Sequence, residues 1–221
     1  TTVLHHALDP SRLARQTTEY SRAEARESLR LGPADVAIVL LGTVAERKGQ
    51  LDLVRAFAEL PAHLAARGVV FIVGDRGTPY SALVHDAVQS LPDSLRHRVR
   101  VIAETPAPHR YLAAADIAAC CSRIESYPRV ILEAMAFGLP LVTTLVNGIA
   151  EQVRPDLNAL AYEPGDARTL SHHLGPLIGD EPLRRRMGAL SRSVLGSLPT
   201  HAEMMRGYAD LFRQAYVSSL P

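Results

Sequence analysis

Two glutamates lie eight positions apart in the stretch ESYPRVILEAMAFGLP, residues 125–140. Glu125 opens the stretch, and Glu133 interrupts a run of apolar and helix-forming residues. A carboxylate buried in an apolar helix is costly unless it has a partner. Two interpretations of Glu133 stay open on these grounds. It forms an ion pair with a basic residue such as Arg129, four positions earlier, or it accepts hydrogen bonds from the two hydroxyls of a ligand diol such as a ribose.

The predicted start of this helix has the features of an anion site. Pro128 suits the first helical position, where its missing N–H group costs nothing. The free N–H groups of Arg129 and Val130 would then point out of the helix N-terminus, whose partial positive charge favours an anion such as phosphate.

A second candidate anion site is the loop GTVAERKG, residues 42–49, which also precedes a helical pattern. Arg47 and Lys48 would place two cations beside a helix N-terminus, and Gly49 would allow close backbone approach. The alternative is a solvated surface pair. The loop matches neither a Walker motif nor the G-x-G-x-x-G fingerprint. The loop GDRGTP, residues 74–79, is interpreted as a plain turn.

The elements around these loops indicate an α/β fold with a parallel sheet of about six strands. Short apolar runs predict buried strands at 36–42, 68–74, 99–103, 117–121, 139–144 and 159–162. Helical patterns lie between them at 50–60, 79–90, 107–116 and 128–137. This alternation predicts a parallel sheet with helices on both faces, and such sheets bind ligands at the carboxyl ends of their strands. Both candidate anion sites fall at that edge.

One domain, residues 1–221, is the simplest organisation. It has a lead-in at 1–35 with a helix near 21–30, an α/β core at 36–165, and a helical tail at 166–221 whose helices are expected at 166–178, 181–195 and 201–217. The chain begins TTVLHHALDP, without Met and already in mid-pattern. We therefore expect a piece of a longer protein.

Composition excludes several classes of protein. The chain has 24 basic and 23 acidic residues, so its net charge of +1 gives no general attraction to nucleic acid or anionic lipid. The adjacent Cys120 and Cys121 indicate reduced core thiols in a cytoplasmic protein, and His5 and His6 are expected to be surface or strand residues. Metal-ligand spacing, a transmembrane run and a signal peptide are all lacking, so we expect no metal and no membrane span.

Several blocks of the sequence resemble family 4 retaining glycosyltransferases, which have the two-domain GT-B fold. The stretch from Glu125 to Glu133 is similar to their E-x7-E signature. Other blocks agree in order and spacing: VAIVLLGTVAERKGQLDLVRAF, GVVFIVGD, RYLAAADIAACCS and NGIAE. The resemblance covers roughly residues 36–192. It implies that this chain is the carboxyl-terminal, Rossmann-like half of such a protein, the half that binds a nucleotide sugar.

The resemblance also implies roles for the charged residues. Lys48 and Arg47 would hold the diphosphate of the donor, Glu125 would contact hydroxyls of the donor sugar, and Glu133 would hold the ribose hydroxyls. Thr43, counted among the donor-binding residues, stands where many members carry an arginine, and Arg47 would supply that charge from a different place.

Backbone groups would complete the implied donor site. The residues expected to line the phosphates are Ser126, Tyr127, Pro128, Arg129 and Val130, and those expected to border the base are Ile102 and Ala103. Many members of the family have Gly where Pro128 stands. The proline removes one possible amide donor but leaves the next two.

The expected activity is sugar transfer from a nucleoside diphosphate sugar to an acceptor, with retention and without a cofactor. The expected partner is the protein's own N-terminal GT-B domain, which would bind the acceptor and through which peripheral membrane contact is open. Without that domain the isolated chain should bind nucleotide but transfer nothing at a useful rate. The alternatives are a GT-B epimerase or phosphorylase half, or a nucleotide-binding regulatory module without catalysis. A phosphorylase would need a lysine for pyridoxal, whereas Lys48 is the only lysine.

Overall fold

A parallel sheet forms the centre of the computed structural model, which describes residues 3–218. Within these residues the strands are β1 Val36–Leu41, β2 Gly68–Asp75, β3 Val99–Ala103, β4 Ile117–Cys120, β5 Leu141–Thr143 and β6 Ala159–Ala161. Their order in the sheet is β3-β2-β1-β4-β5-β6, and every pairing is parallel. The chain runs outward from β1 to β3, returns to β4, and then runs outward on the other side. The sheet therefore reverses its winding between β1 and β4, which is the switch point where such folds bind ligands.

Helices cover both faces of the sheet. In the described residues they are α1 Pro10–Thr18, α2 Arg22–Ser28, α3 Gln50–Ala58, α4 Ala62–Ala65, α5 Pro79–Gln89, α6 Asp93–Arg96, α7 His109–Ala114, α8 Arg129–Ala136, α9 Ile149–Gln152, α10 Ala167–Gly179, α11 Glu181–Ser197 and α12 His201–Ser218. Helices α3, α5 and α10 contribute to the core on one face, and α2, α7 and α8 to the core on the other.

The continuous apolar run of β1 follows from this two-sided burial. Side chains alternate between the two faces of a strand. One core receives Val36, Ile38 and Leu40, and the other receives Ala37, Val39 and Leu41. The Rossmann-like fold expected from the sequence is confirmed, and each strand lies within two residues of its predicted bounds. The single-domain organisation over 1–221 stays a prediction, and residues 1–2 and 219–221 lie outside the described residues.

Four α-helices were not predicted from the sequence. Three of them, α4, α6 and α9, are four residues long, too short to show a helical period. The fourth, α1, has a recognisable start, since Asp9 accepts hydrogen bonds from the amides of Ser11 and Arg12 and Pro10 is its first residue. Helix α1 was not predicted because its residues have low hydrophobicity.

The start of α8 corrects one prediction. Pro128 was expected at the first helical position, but it is extended and lies one residue earlier, so the helix begins at Arg129. The first amides without a helical partner still belong to Arg129 and Val130, so the anion-site geometry is unchanged. Gly138 follows the helix with φ +71°. Cys120 and Cys121 are buried and unbridged, which confirms them as core thiols, and burial raises the pKa of both.

The helical tail returns to the lead-in segment. Helix α10 packs on α3 and α11 on α8. The amide of Ala7 donates to Met204 Sδ at 3.3 Å, so the lead-in lies against α12. Among residues 3–218, none of the helices is both long and apolar enough to cross a bilayer.

Candidate functional site

The loops that follow β1 and β4 are in direct backbone contact. The amide of Arg123 donates to the carbonyl of Arg47 at 2.7 Å. Gly49 has φ +65°, and a Cβ placed there would lie 2.1 Å from the carbonyl oxygen of Cys121. Only glycine fits this approach. The loops 42–49 and 121–128 therefore form one surface at the switch point.

Three of the predicted site residues meet on this surface. Lys48 Nζ contacts Glu125 Oε1, and Arg47 Nη1 lies 3.3 Å from the same oxygen. The side chains of Lys48 and Glu125 are only 13% and 10% exposed, whereas that of Arg47 is 53% exposed. Charges at this depth interact more strongly than on an open surface. The cluster offers two cations for an oxyanion and one carboxylate for hydroxyl groups.

Gln50 holds the loop that carries Lys48. Its buried side chain donates from Nε2 to the carbonyl of Thr43 at 3.1 Å, and its Oε1 accepts from the amide of Ala45 at 3.3 Å. Thr43 is thus in the loop, with its carbonyl occupied by Gln50. Gln50 was not predicted as a site residue, although a glutamine directly after the Arg-Lys-Gly triplet at a helix start was a usable signal.

A buried ion pair joins α3 to the second loop. Asp52 is fully buried and accepts a two-pronged contact from Arg123, at 2.7 Å from Nη1 and 3.0 Å from Nη2. The amide of Gly165 also donates to Asp52, at 3.1 Å. The carboxylate raises the pKa of Arg123. The pair was not predicted, although an acidic residue among the apolar positions of α3 is the same kind of signal that drew attention to Glu133.

Helix α9 supports the residues before α8. A Cβ on Gly148 would lie 1.7 Å from the carbonyl oxygen of Ser126, so the two loops touch through a position that only glycine can fill. Buried Gln152 donates from Nε2 to the carbonyl of Pro128 at 3.0 Å. These contacts hold Ser126, Tyr127 and Pro128 in place directly ahead of the first amides of α8.

Glu133 has features of both interpretations given above. Arg129 Nη2 lies 3.4 Å from Glu133 Oε1, which is the ion pair of the first interpretation, at the long limit for a hydrogen bond. The side chain is only 15% exposed. Burial raises the pKa of Glu133, against the opposing charges of Arg129 and Arg12. The carboxylate is thus incompletely compensated, and its role as a ligand-binding group stays a prediction.

Two predicted residues lie apart from the Lys48–Glu125 cluster. Ile102 and Ala103 end β3, the edge strand two places from β1. At the usual strand spacing this is about 10 Å across the sheet. Both residues are at the same carboxyl edge as the cluster, so they border the crevice from its far side. Their contact with a base stays a prediction.

The loop 74–79 is more than a plain turn. Asp75 receives hydrogen bonds from His85 Nε2 at 2.8 Å and from the amide of Gly77 at 2.9 Å. Hydrogen bonds from Ser81 and His85 lower the pKa of Asp75 to about 2. Thr78 then caps α5. The acidic group thus fixes the start of α5 beside the crevice.

The lead-in segment also reaches the carboxyl edge of the sheet. His5 Nε2 lies 2.5 Å from Glu151 Oε2, and the ring of His5 lies 4.9 Å from that of Tyr127. The contact of His5 with Glu151 was not predicted, because 146 positions separate the two residues. Across the described part of the chain, no group of three or more His, Cys, Asp or Glu side chains is arranged to hold a metal ion.

The fold and the loop cluster define an α/β protein of the class that binds ligands at the switch point of a parallel sheet. Comparison with known sequences narrows the class. The profile described as glycosyl transferases group 1 matches residues 21–194. The D-inositol 3-phosphate glycosyltransferase of Nocardia farcinica is 35% identical over 173 residues, which cover 76% of this chain and 38% of that protein. The chain belongs to the glycosyl transferases group 1 family, and it spans well under half the length of that relative.

Solved structures agree with this assignment at the level of the fold. Anabaena Alr3699/HepE in complex with UDP-glucose matches with a TM-score of 0.81 at 21% identity, covering 97% of this chain and 57% of that one. The C-terminal domain of the group 1 protein LpcC from Francisella tularensis matches with a TM-score of 0.72 at 18% identity, covering 84% of this chain and 98% of that domain.

Proposed function

We propose that this chain is the donor-binding half of a retaining glycosyltransferase that transfers a sugar from a nucleoside diphosphate sugar to an acceptor. The observation that carries the proposal is the meeting of Lys48, Arg47 and Glu125 at the switch point, beside the start of α8. Membership of the glycosyl transferases group 1 family supports it. So does the likeness to a fold whose solved complex contains UDP-glucose.

The main electrostatic demand of this reaction is the charge that develops on the departing diphosphate. Preorganised cations and backbone amides directed at that charge stabilise the transition state. Lys48 and Arg47 would supply the cations, and the amides of Arg129 and Val130 the hydrogen bonds. In the structure, Glu125 contacts both cations. The arriving phosphates would replace Glu125 on them and release its carboxylate to accept hydrogen bonds from sugar hydroxyls.

Other residues would contact the ribose, the base and the sugar of the same donor. Glu133 would accept hydrogen bonds from the two ribose hydroxyls, and Ile102 and Ala103 would border the base. Glu125 would orient the sugar and is not assigned as a covalent nucleophile. An N-terminal GT-B domain would bind the acceptor and supply any membrane contact, and the protein would act in the cytoplasm without a cofactor.

The single lysine gives a direct test of the phosphate role. An amine-acetylating reagent can modify only Lys48 and the N-terminal amine, and mass spectrometry separates the two. Saturating UDP, GDP or ADP should slow acetylation of Lys48 at least about tenfold if the amine holds phosphate, since that rate ratio reflects a well-occupied site. The N-terminal amine is the internal control. Equal Lys48 rates with and without all three nucleotides would contradict the proposal.

Calorimetry tests the same assignment by affinity. Lys48→Ala removes one charge-assisted contact and should weaken binding of the preferred nucleotide by about 1.5–3 kcal/mol, or about tenfold or more in Kd. Arg213→Ala on α12 is the matched control, because it also removes one cation, and the Arg213 side chain is exposed and is not among the proposed site residues. Nucleotide binding by the full-length protein without sugar transfer to any acceptor would favour the regulatory module instead.

A further inference from the structure

A second charged depression lies at the amino edge of the sheet, and the proposed function does not use it. This cavity of about 290 Å³, here called the arginine cleft, has six charged residues in its lining: Arg22, Arg184, Arg185, Arg192, Asp116 and Glu181. Four cations thus face two anions.

The arginine cleft is separate from the proposed donor site. Asp116 directly precedes β4, and Phe137 and Pro140, which also line the cleft, lie between the end of α8 and the start of β5. The cleft is therefore at the edge where strands begin, opposite the switch point. Helix α8 runs between the two places, and its eight residues span about 12 Å.

Helix capping accounts for part of this positive charge. Arg22 Nη1 donates to the carbonyl of Ala115 at 2.6 Å, and Arg192 Nη2 to that of Phe137 at 3.0 Å. Arg184 Nη1 donates to two carbonyls in the last turn of α10, at 2.7 and 3.1 Å. Each helix C-terminus carries roughly half a negative charge. The three helix ends, α7, α8 and α10, thus offset some of the four guanidinium charges.

The offset is incomplete. With two carboxylates and about one and a half charges from the helix ends, the four arginines leave an excess of roughly half a positive charge. Arg26, which is outside the cleft lining, also pairs with Asp116, at 3.0 Å, so this carboxylate is shared with a further cation. A net positive charge at a partly enclosed site attracts an anion.

Arg184 gives the cleft a built donor group. Its side chain is more than nine-tenths buried, at 9% exposure, and both of its hydrogen bonds come from Nη1. Its Nε and Nη2 are neither hydrogen-bonded within the described residues nor fully enclosed, and Arg184 lines the cleft. A guanidinium edge with two free N–H directions matches an oxyanion in a two-pronged geometry.

We propose that the arginine cleft binds the phosphate group of a small phosphorylated molecule. A phosphate monoester carries about one and a half to two negative charges at neutral pH, the sign that the excess positive charge of the cleft favours. Arg184 provides the buried fork. Arg185, which is 80% exposed and pairs with Glu181 at 2.6 Å, and Arg192 would meet the ligand from the solvent side. The site takes phosphate independently of the nucleotide at the switch point.

The test uses inorganic phosphate as the probe, on the Lys48→Ala protein so that the proposed donor site contributes little. Amide chemical shifts locate the binding. Phosphate should shift the signals of Gly138 and Leu139, which line the cleft, and leave those of Arg129 and Val130 at the start of α8 unchanged. Shifts confined to Arg129 and Val130 would place the anion at the switch point and overturn the proposal.

The variant Arg185→Gln with Arg192→Gln should weaken phosphate binding at least about tenfold, because two charged contacts are lost. Arg213→Gln is the control and should bind as the parent does. Arg184 is left intact because its loss would uncap α10. Urea unfolding without phosphate checks that the double variant folds. Equal phosphate affinity in the folded double variant and the control, or an equal response to chloride at matched ionic strength, would refute the proposal.

Discussion

Replacing Glu133 with Gln separates the two interpretations of this buried carboxylate. The side chain is 15% exposed, and its one ion pair, with Arg129, is long at 3.4 Å. Burial raises the pKa of Glu133, so its ionised form is disfavoured by the fold. Under the proposed function, the same carboxylate holds the ribose hydroxyls. The substitution should therefore act in opposite directions on stability and on nucleotide binding.

The expected magnitudes follow from these contacts. In the unliganded protein, Gln loses an ion pair worth at most about 0.3–0.5 kcal/mol. It also removes the desolvation penalty of the carboxylate, so the free energy of unfolding should stay level or rise by about 1 kcal/mol. In the complex, charge-assisted hydrogen bonds become neutral ones of about half the strength. That loss of about 1.5–3 kcal/mol would raise Kd by about ten- to a hundredfold.

The pH dependence supplies a further check. A carboxyl whose folded pKa is raised binds its proton more tightly in the folded state, so it adds stability as pH falls through the folded pKa. Gln cannot do this. The stability advantage of Glu133→Gln over the parent protein should therefore be largest at neutral pH and shrink at mildly acid pH.

Urea unfolding at both pH values and calorimetry with UDP, GDP and ADP measure these effects. Glu27→Gln is the control, since Glu27 is an exposed residue of α2. A Glu133→Gln protein that is less stable than the parent at neutral pH and binds nucleotide as tightly as the parent would refute the reasoning, since loss of the ion pair would then outweigh the desolvation penalty. Glu133 would then be an ordinary helix-surface partner of Arg129.

Three other substitutions test how the site is held. Gly148→Ala should lower both stability and nucleotide affinity, measured by urea unfolding and calorimetry, because its Cβ would fall 1.7 Å from a carbonyl oxygen of the neighbouring loop. Asp52→Asn should lower the free energy of unfolding by about 2–3 kcal/mol, below the range for a fully buried pair because Arg123 is 35% exposed. Asp75→Asn should cost about 1–2 kcal/mol at neutral pH, since hydrogen bonds chiefly from Ser81 hold the pKa of Asp75 at about 2. That difference should be lost as pH falls from about 4 to 2 in unfolding titrations, and a constant difference would show that ionisation of Asp75 does not stabilise the fold.

The sequence predicted the features that depend on local composition. Strands such as β1 were found because burial on both faces demands a continuous apolar run. Lys48 and Glu125 were found because charged residues beside strand ends stand out against such runs. Their contact across 77 positions depends on the order of strands in the sheet, which the alternating pattern alone does not fix.

Partners fixed by tertiary approach could not be predicted. Asp52 and Arg123 lie 71 positions apart, and their pairing depends on how closely α3 approaches the loop after β4. The contact of His5 with Glu151 depends on the path of a segment without regular structure. Neither distance is set by a period, a cap or a turn in the sequence.

The links among the site loops bear on the entropy of binding. Backbone contacts at Gly49 and Gly148, the Asp52–Arg123 fork and the amide of Gln152 tie three separate loops into one unit. A ligand entering such a unit orders few additional backbone torsions, so little of its interaction energy is spent on conformational entropy. Cutting one link while leaving every ligand contact in place should thus weaken binding through its entropic component, with the contact enthalpy nearly unchanged.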